Sequence, residues 1–249
     1  MKRLYLIILY ISFLLSAQAK SFTVVIDAGH GGKDPGAVGA TLKEKDINLR
    51  VALALGKLLE KNMNDAKVVY TRKTDVFVEL NERAAIANRN KADLFISIHT
   101  NASAGNKTVS GTESYTLGMH RANSNLEVAK RENSAIMLEK GYKEKYEGFD
   151  PKSSESYIIF ELMQDQYMKQ SVGLAGKIQK QFANTAKRNN RGVQQAGFLV
   201  LRATSMPSVL VELGYITTPS EEKYLATQEA TDKLSQSIYN AIKQYRDNQ

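Results

Sequence analysis

The chain has no cysteine. Disulfides are therefore excluded as a source of stability, and any metal must be held by histidine, aspartate or glutamate. Histidine is scarce too, with three in 249 residues. No internal repeat, low-complexity tract or Pro/Ser-rich linker interrupts the sequence, so no appended binding module is visible. The apolar run at residues 4–15 is too short to span a bilayer, which takes about 20 residues. It follows Lys2 and Arg3 and precedes Ser16-Ala17-Gln18-Ala19, an Ala-x-Ala cleavage site. That is the plan of a secretory signal peptide over residues 1–19, with an uncleaved anchor as the other reading. A lipoprotein anchor is excluded because no cysteine follows the site. The expectation is an exported protein with no stable membrane anchor after cleavage, and one domain over residues 20–249.

The net charge of +8 suits an anionic polymer or membrane surface, although solubility alone also explains it. No basic-aromatic stripe stands out, and with export this argues against a nucleic-acid partner.

What is present is organised around residues 24–39. Val24, Val25 and Ile26 read as a buried strand that breaks into a glycine-rich turn carrying His30. The turn is not a P-loop, because Gly32-Lys33 is followed by Asp34. It is not a dinucleotide fingerprint either, since Asp34 stands where the third glycine is required. The glycines are better read as letting the backbone crowd around His30.

Strands are predicted at 22–27, 67–71, 94–99, 111–117, 198–201 and 208–213. Helices are predicted at 44–61, 79–90 and 228–245. This alternation predicts an α/β fold, three-layer, with a mostly parallel twisted sheet flanked by helices. A charge-rich segment at about 119–163, with helical stretches at 125–139 and from 157 on, breaks the alternation. It reads as a helical insertion over one edge of the domain. His120, at its start, reads as a surface histidine.

Four residues share one description. His30, Glu44, His99 and Glu212 each fall at the exit of a strand or in the first turn of the following helix, where a mostly parallel sheet gathers its ligands. Two histidines and a carboxylate form a usual catalytic zinc set, with the fourth position left to water. Each also has a plainer reading. His30 could be incidental to a turn, Glu44 could favour a helix dipole, and His99 could be a hydrogen-bonded core residue. The chain lacks a local His-Glu-x-x-His motif, so spacing alone leaves both readings open. Glu212 is the sharpest anomaly. It interrupts a strand that is otherwise apolar on both faces, and a carboxylate there is costly unless paired or bound to a cation.

The segments His30-Gly-Gly-Lys-Asp-Pro-Gly-Ala37, Glu44-Lys-Asp-Ile-Asn-Leu49, Ser97-Ile-His-Thr-Asn-Ala102 and Val209-Leu-Val-Glu-Leu-Gly214 occur in that order. With Arg191-Gly-Val-Gln-Gln-Ala-Gly-Phe-Leu-Val-Leu-Arg202, they resemble the zinc-dependent N-acetylmuramoyl-L-alanine amidases of bacterial cell separation and wall turnover. The resemblance runs from about Phe22 to Tyr245. It implies Zn2+ held by His30, Glu44 and His99, with Glu212 as the catalytic carboxylate. The substrate it implies is peptidoglycan, in the periplasm or envelope of a bacterium. Tyr215, where the family often has Phe, and Thr217-Thr218, in place of a common Ser-Asn, are mild departures that touch no ligand.

In relatives that act at the division site, a helical segment at the place of 119–163 covers the zinc until an activator protein moves it. By that resemblance the insertion is a candidate inhibitor, with Glu139, Glu144 or Glu147 expected to reach the metal. A substrate flap or surface decoration is the alternative. Two other functions also stay open. One is a zinc peptidase cutting within the stem peptide, and the other is a wall-binding module without catalysis.

Overall fold

Alternating strand residues feed two separate cores. Val24, Ile26 and Ala28 point into one, along with Leu94, Ile96, Ile98, Val209, Val211 and Leu213. Val25, Phe95 and Leu210 point into the other. Strands apolar on both sides are what a sheet covered on both faces requires. The computed structural model describes residues 21–119, 122–162 and 166–248. The segment read as a signal peptide and His120 lie outside the described residues.

The chain runs through β1 (Phe22–Ala28), α1 (Glu44–Asn62), β2 (Ala66–Tyr70), α2 (Leu80–Arg89), β3 (Leu94–Asn101) and β4 (Thr112–Leu117). After these come α3 (Asn123–Asn133), a 3-10 turn at Ser134–Leu138, α4 (Tyr142–Lys145), a 3-10 turn at Glu155–Ile158 and α5 (Ile159–Leu162). The regular fold resumes with α6 (Met168–Asn184), β5 (Asn190–Ala196), α7 (Leu199–Arg202), β6 (Ser208–Tyr215), α8 (Pro219–Leu225) and α9 (Gln228–Arg246). The strand order is β2-β1-β3-β6-β4-β5. The first four are mutually parallel. β4 runs antiparallel to β6, and β5 runs parallel to β4.

The first core packs α1, α6 and α9 on one face. The second packs α2, α3, α7 and the segment around Tyr146 to Phe160 on the other. The α/β, three-layer, mostly parallel reading is what the molecule has. No helix among the described residues is long and apolar enough to cross a membrane.

Two local expectations are overturned. Residues 198–201 are not a strand, because Leu199–Arg202 is a helical turn and β5 lies earlier, at Asn190–Ala196. The apolar run Phe198 to Leu201 is fully buried in the second core, and burial alone does not distinguish strand from helix. The helix expected at 125–139 ends at Asn133 and tightens into a 3-10 turn, and the long helix after it starts only at Met168.

The floor of the active edge is a buried ion pair. Arg83 Nη1 lies 2.7 Å from Asp27 Oδ1, and both side chains are almost wholly buried. Thr71 and Ser97 each donate to Asp27 at 2.6 Å. Burial pushes the Asp27 carboxyl up, but Arg83, Ser97 and Thr71 together bring it below the ordinary 3.8. A depressed folded pKa means this stabilisation is complete above the unfolded value and is lost as pH falls through the folded one. Arg83→Ala strands Asp27 as a buried unpaired carboxylate. Unfolding in urea should show a loss of about 3–5 kcal/mol, and a loss under 1 kcal/mol would mean water reaches Asp27.

Candidate metal centre

His30 lies just past β1 with φ of +61°, a left-handed conformation uncommon outside glycine. Two buried arginines hold that backbone. Arg83 donates to the carbonyls of Ala28 (2.8 Å) and His30 (2.9 Å). Arg72 donates to those of Ala28 (2.8 Å) and Gly29 (2.9 Å). The surrounding glycines serve close approach. A Cβ at Gly29 would fall 2.4 Å from the His99 ring, and one at Gly36, itself at φ +66°, would fall 2.6 Å from His30 Cδ2 and 2.7 Å from Glu44 Oε2.

Glu44 opens α1 and is completely buried. It is clamped from both sides, by Ala37 N on Oε2 (2.7 Å) and by Thr100 N on Oε1 (2.9 Å). Thr100 is free to do this because the β3–β6 register shifts between His99 and Asn101. Glu44 therefore belongs to the site rather than acting as a simple helix-dipole residue.

The structure brings His30, Glu44 and His99 together and adds Glu132 from α3. One donor atom from each of the four lies within 4.8 Å of all the others, and all four residues are buried. His30 Nε2 is 3.1 Å from Glu44 Oε1 and 2.9 Å from Glu132 Oε2. His99 Nδ1 is 3.1 Å from Glu44 Oε1 and 2.9 Å from Glu132 Oε2. Yet His30 Nε2 and Glu132 Oε2 have no partner with hydrogen-bond geometry. His99 Nδ1 and Glu44 Oε1 share a hydrogen bond, whereas His30 Nε2 and Glu132 Oε2 approach the same point without one. This donor set fits a divalent cation, with nitrogen and oxygen ligands of the kind zinc takes. The outer shell fits as well, since Asp34 Oδ2 holds His30 Nδ1 at 2.8 Å and fixes Nε2 as the inward nitrogen.

The electrostatics agree. Burial alone would lower the pKa of His99, but the carboxylates of Glu132 and Glu44 outweigh it and lift it to about 9. His30 is raised likewise, with Glu44 the main opposition to burial. The two buried carboxylates draw positive charge onto the imidazoles, and a cation bound here would displace those protons and take their place against Glu44 and Glu132.

Glu212 is the register partner of His99 in the neighbouring strand. Both its carboxylate oxygens are buried without a hydrogen-bond partner. Burial, reinforced by the charge of Glu132, pushes its carboxyl well above the ordinary value. Arg131 Nη2, on α3, stands 3.7 Å from it and also pairs with Glu132 at 2.9 Å.

The residues expected to reach the centre from the 119–163 segment do not do so. Glu139 accepts from Leu80 N at 2.9 Å and from the Tyr146 hydroxyl at 3.0 Å, docking the segment on the start of α2. Glu144 and Glu147 are exposed. The acid in the cluster is Glu132. It shares the buried side of α3 with Asn125, Val128 and Ala129, at helical spacing.

A mostly parallel α/β sheet with a buried histidine–carboxylate cluster at its strand ends defines an α/β protein with a candidate metal site. The chain matches the N-acetylmuramoyl-L-alanine amidase family over residues 24–244. It is 35% identical to AmiA of Escherichia coli K12, over 89% of this chain and 75% of that protein. It is 33% identical to AmiC of Escherichia coli O6:H1, over 91% of this chain and 53% of that protein. The crystal structure of an N-acetylmuramoyl-L-alanine amidase from Clostridium difficile 630 superposes with a TM-score of 0.69 at 29% identity, covering 93% of this chain and 100% of that one. The chain belongs to this amidase family, hydrolases whose substrate is peptidoglycan.

Proposed function

We propose that this chain is an exported, zinc-dependent enzyme that hydrolyses the amide between the lactyl group of N-acetylmuramic acid and the L-alanine of the stem peptide, in wall turnover and daughter-cell separation. The convergence of His30 Nε2, Glu44 Oε1 and His99 Nδ1 on one buried point carries the reading. These three residues are assigned as the zinc ligands. Zinc held there supplies Lewis acidity toward a carbonyl oxygen and a water pKa near 7.

The chain's own contribution is proton transfer and order. Glu212, buried beside the ligands with neither oxygen hydrogen-bonded, accepts a proton from the attacking water as the C–O bond forms. It then delivers that proton to the alanine nitrogen as the C–N bond breaks. Asp34 orients His30. Asp34→Ala should weaken zinc binding about 10- to 100-fold, read by competition with a chromophoric chelator, and an unchanged affinity would remove Asp34 from the site.

Glu132 and Arg131 give α3 a regulatory role. Glu132 occupies the open face of the ligand set, and Arg131 reaches Glu212. We assign the segment as a built-in inhibitor that an activator protein withdraws.

Digestion of purified peptidoglycan tests the activity. Mass spectrometry should find free peptides beginning at L-alanine beside glycan with intact lactyl groups. These products should vanish with chelator and return with zinc. Products cut inside the peptide would replace this reading with a peptidase.

A further inference from the structure

Because β4 and β5 run opposite to the other strands, their first residues, not their last, reach the active edge. The second residues of these two strands are Glu113 and Arg191. Glu113 is the register partner of Glu212. Its carboxylate is saturated, taking Asn101 Nδ2 (3.1 Å), the Tyr115 hydroxyl (2.8 Å), the Tyr215 hydroxyl (2.8 Å) and Arg191 Nε (2.8 Å). Arg191 is thereby fixed through Nε and stacks over Tyr215, 5.3 Å from the ring centroid. Beyond Glu113 and Tyr215, its two Nη groups meet no acceptor among the described residues. They border a cleft of about 550 Å³ that starts at Asn101 and Arg131, beside Glu212, and is roofed by α3. The cleft's other arginine, Arg131, is already paired with Glu132 and Glu212.

We propose that Arg191, held by Glu113, is a specificity-determining residue that binds a free carboxylate of the stem peptide as the leaving group runs along this cleft. The inference rests on the amidase reading, which fixes the direction of the substrate. The amine that leaves must stand beside Glu212 to receive its proton. Across the sheet the order is then Glu212 on β6, Glu113 on β4 and Arg191 on β5. Two strand spacings are roughly 10 Å. An extended peptide covers about 7 Å in two residues, and the arginine side chain spans the rest. The second residue of the stem is D-glutamate joined through its γ-carboxyl, which leaves its α-carboxylate free at this distance. A guanidinium with its plane fixed from behind suits a bidentate carboxylate. Glu113 cannot be that ligand's rival, because all its contacts are already made.

The test compares two disaccharide-tetrapeptides that differ only in whether that carboxylate is free or a carboxamide. Both are hydrolysed by the zinc-loaded full chain and by the full chain carrying Glu132→Ala. The free acid should be preferred about 10- to 100-fold in kcat/KM, mostly through KM, the scale of a hydrogen bond to a charged group. In Arg191→Gln the preference should collapse to within about threefold, and Arg191→Lys should keep part of it. Equal kcat/KM for the two substrates in the unsubstituted chain would overturn the assignment. So would a fall of both by the same factor in Arg191→Gln, which marks a structural role. If neither background cuts either substrate between lactyl group and alanine, the amidase reading fails and this inference falls with it.

Discussion

Glu132→Ala should make the enzyme faster. Glu132 offers Oε2 to the same point as His30 Nε2 and His99 Nδ1, 2.9 Å from each. On the reading proposed above, that oxygen stands in the place the substrate would take. A protein held in a blocked conformation reacts only through its open fraction, and minor states of this kind are about 0.1–10% populated. Removing the block should therefore raise turnover of purified peptidoglycan about 10- to 1,000-fold. The substitution leaves the rest of the segment docked, since Glu139 still caps the start of α2 and Lys145 still pairs with Glu79 at 2.7 Å. Any gain then belongs to the side chain and not to a displaced helix. Glu132→Gln should fall between the two, because an amide keeps the shape and loses the charge. A rate that stays flat or drops, with zinc content unchanged, would leave α3 as a wall of the substrate cleft rather than an inhibitor.

The same position shows how far sequence reasoning reaches. Glu44 is noticeable because it keeps helical register with Ile47 and so falls on an inward face. The same rule applied to α3 selects Glu132, in register with Asn125, Val128 and Ala129. The signal was obscured because α3 is short and rich in charge, and no predicted strand end pointed toward it. Glu139 seemed equally good by composition, yet it lies beyond the 3-10 turn at Ser134–Leu138, where the chain has already passed over α2. Glu113 and Arg191 escaped for a different reason. Looking for ligands at strand exits assumes parallel strands, and β4 and β5 start at the active edge instead of ending there. The sheet itself was legible because β1, β3 and β6 are apolar on both faces, a pattern that only a covered sheet satisfies. The Phe198 to Leu201 run was not, since a buried turn of helix and a buried strand look alike over four residues.

Glu212→Gln should lower kcat on peptidoglycan about 10²- to 10⁴-fold, the usual weight of a positioned general acid–base group. It should do so in the Glu132→Ala background as well, where release of α3 cannot mask the loss. Zinc content should not change, because the donor atoms that converge belong to His30, Glu44, His99 and Glu132, with Glu212 outside that group. The stability readout separates this role from a structural one. A carboxylate kept for structure is satisfied by its surroundings, as Asp27 is by Arg83, Ser97 and Thr71. Glu212 lies between apolar neighbours in β6 with neither oxygen hydrogen-bonded and only Arg131, 3.7 Å away, to face it, so its burial costs the fold. Glutamine keeps the shape and leaves no ionisable group in the strand. Thermal unfolding of the variant should therefore hold or rise, as expected where an active site carries strain for function. An inactive variant that also melts well below the parent would place Glu212 among the residues that hold the sheet together and return the proton-transfer role to another group at the edge.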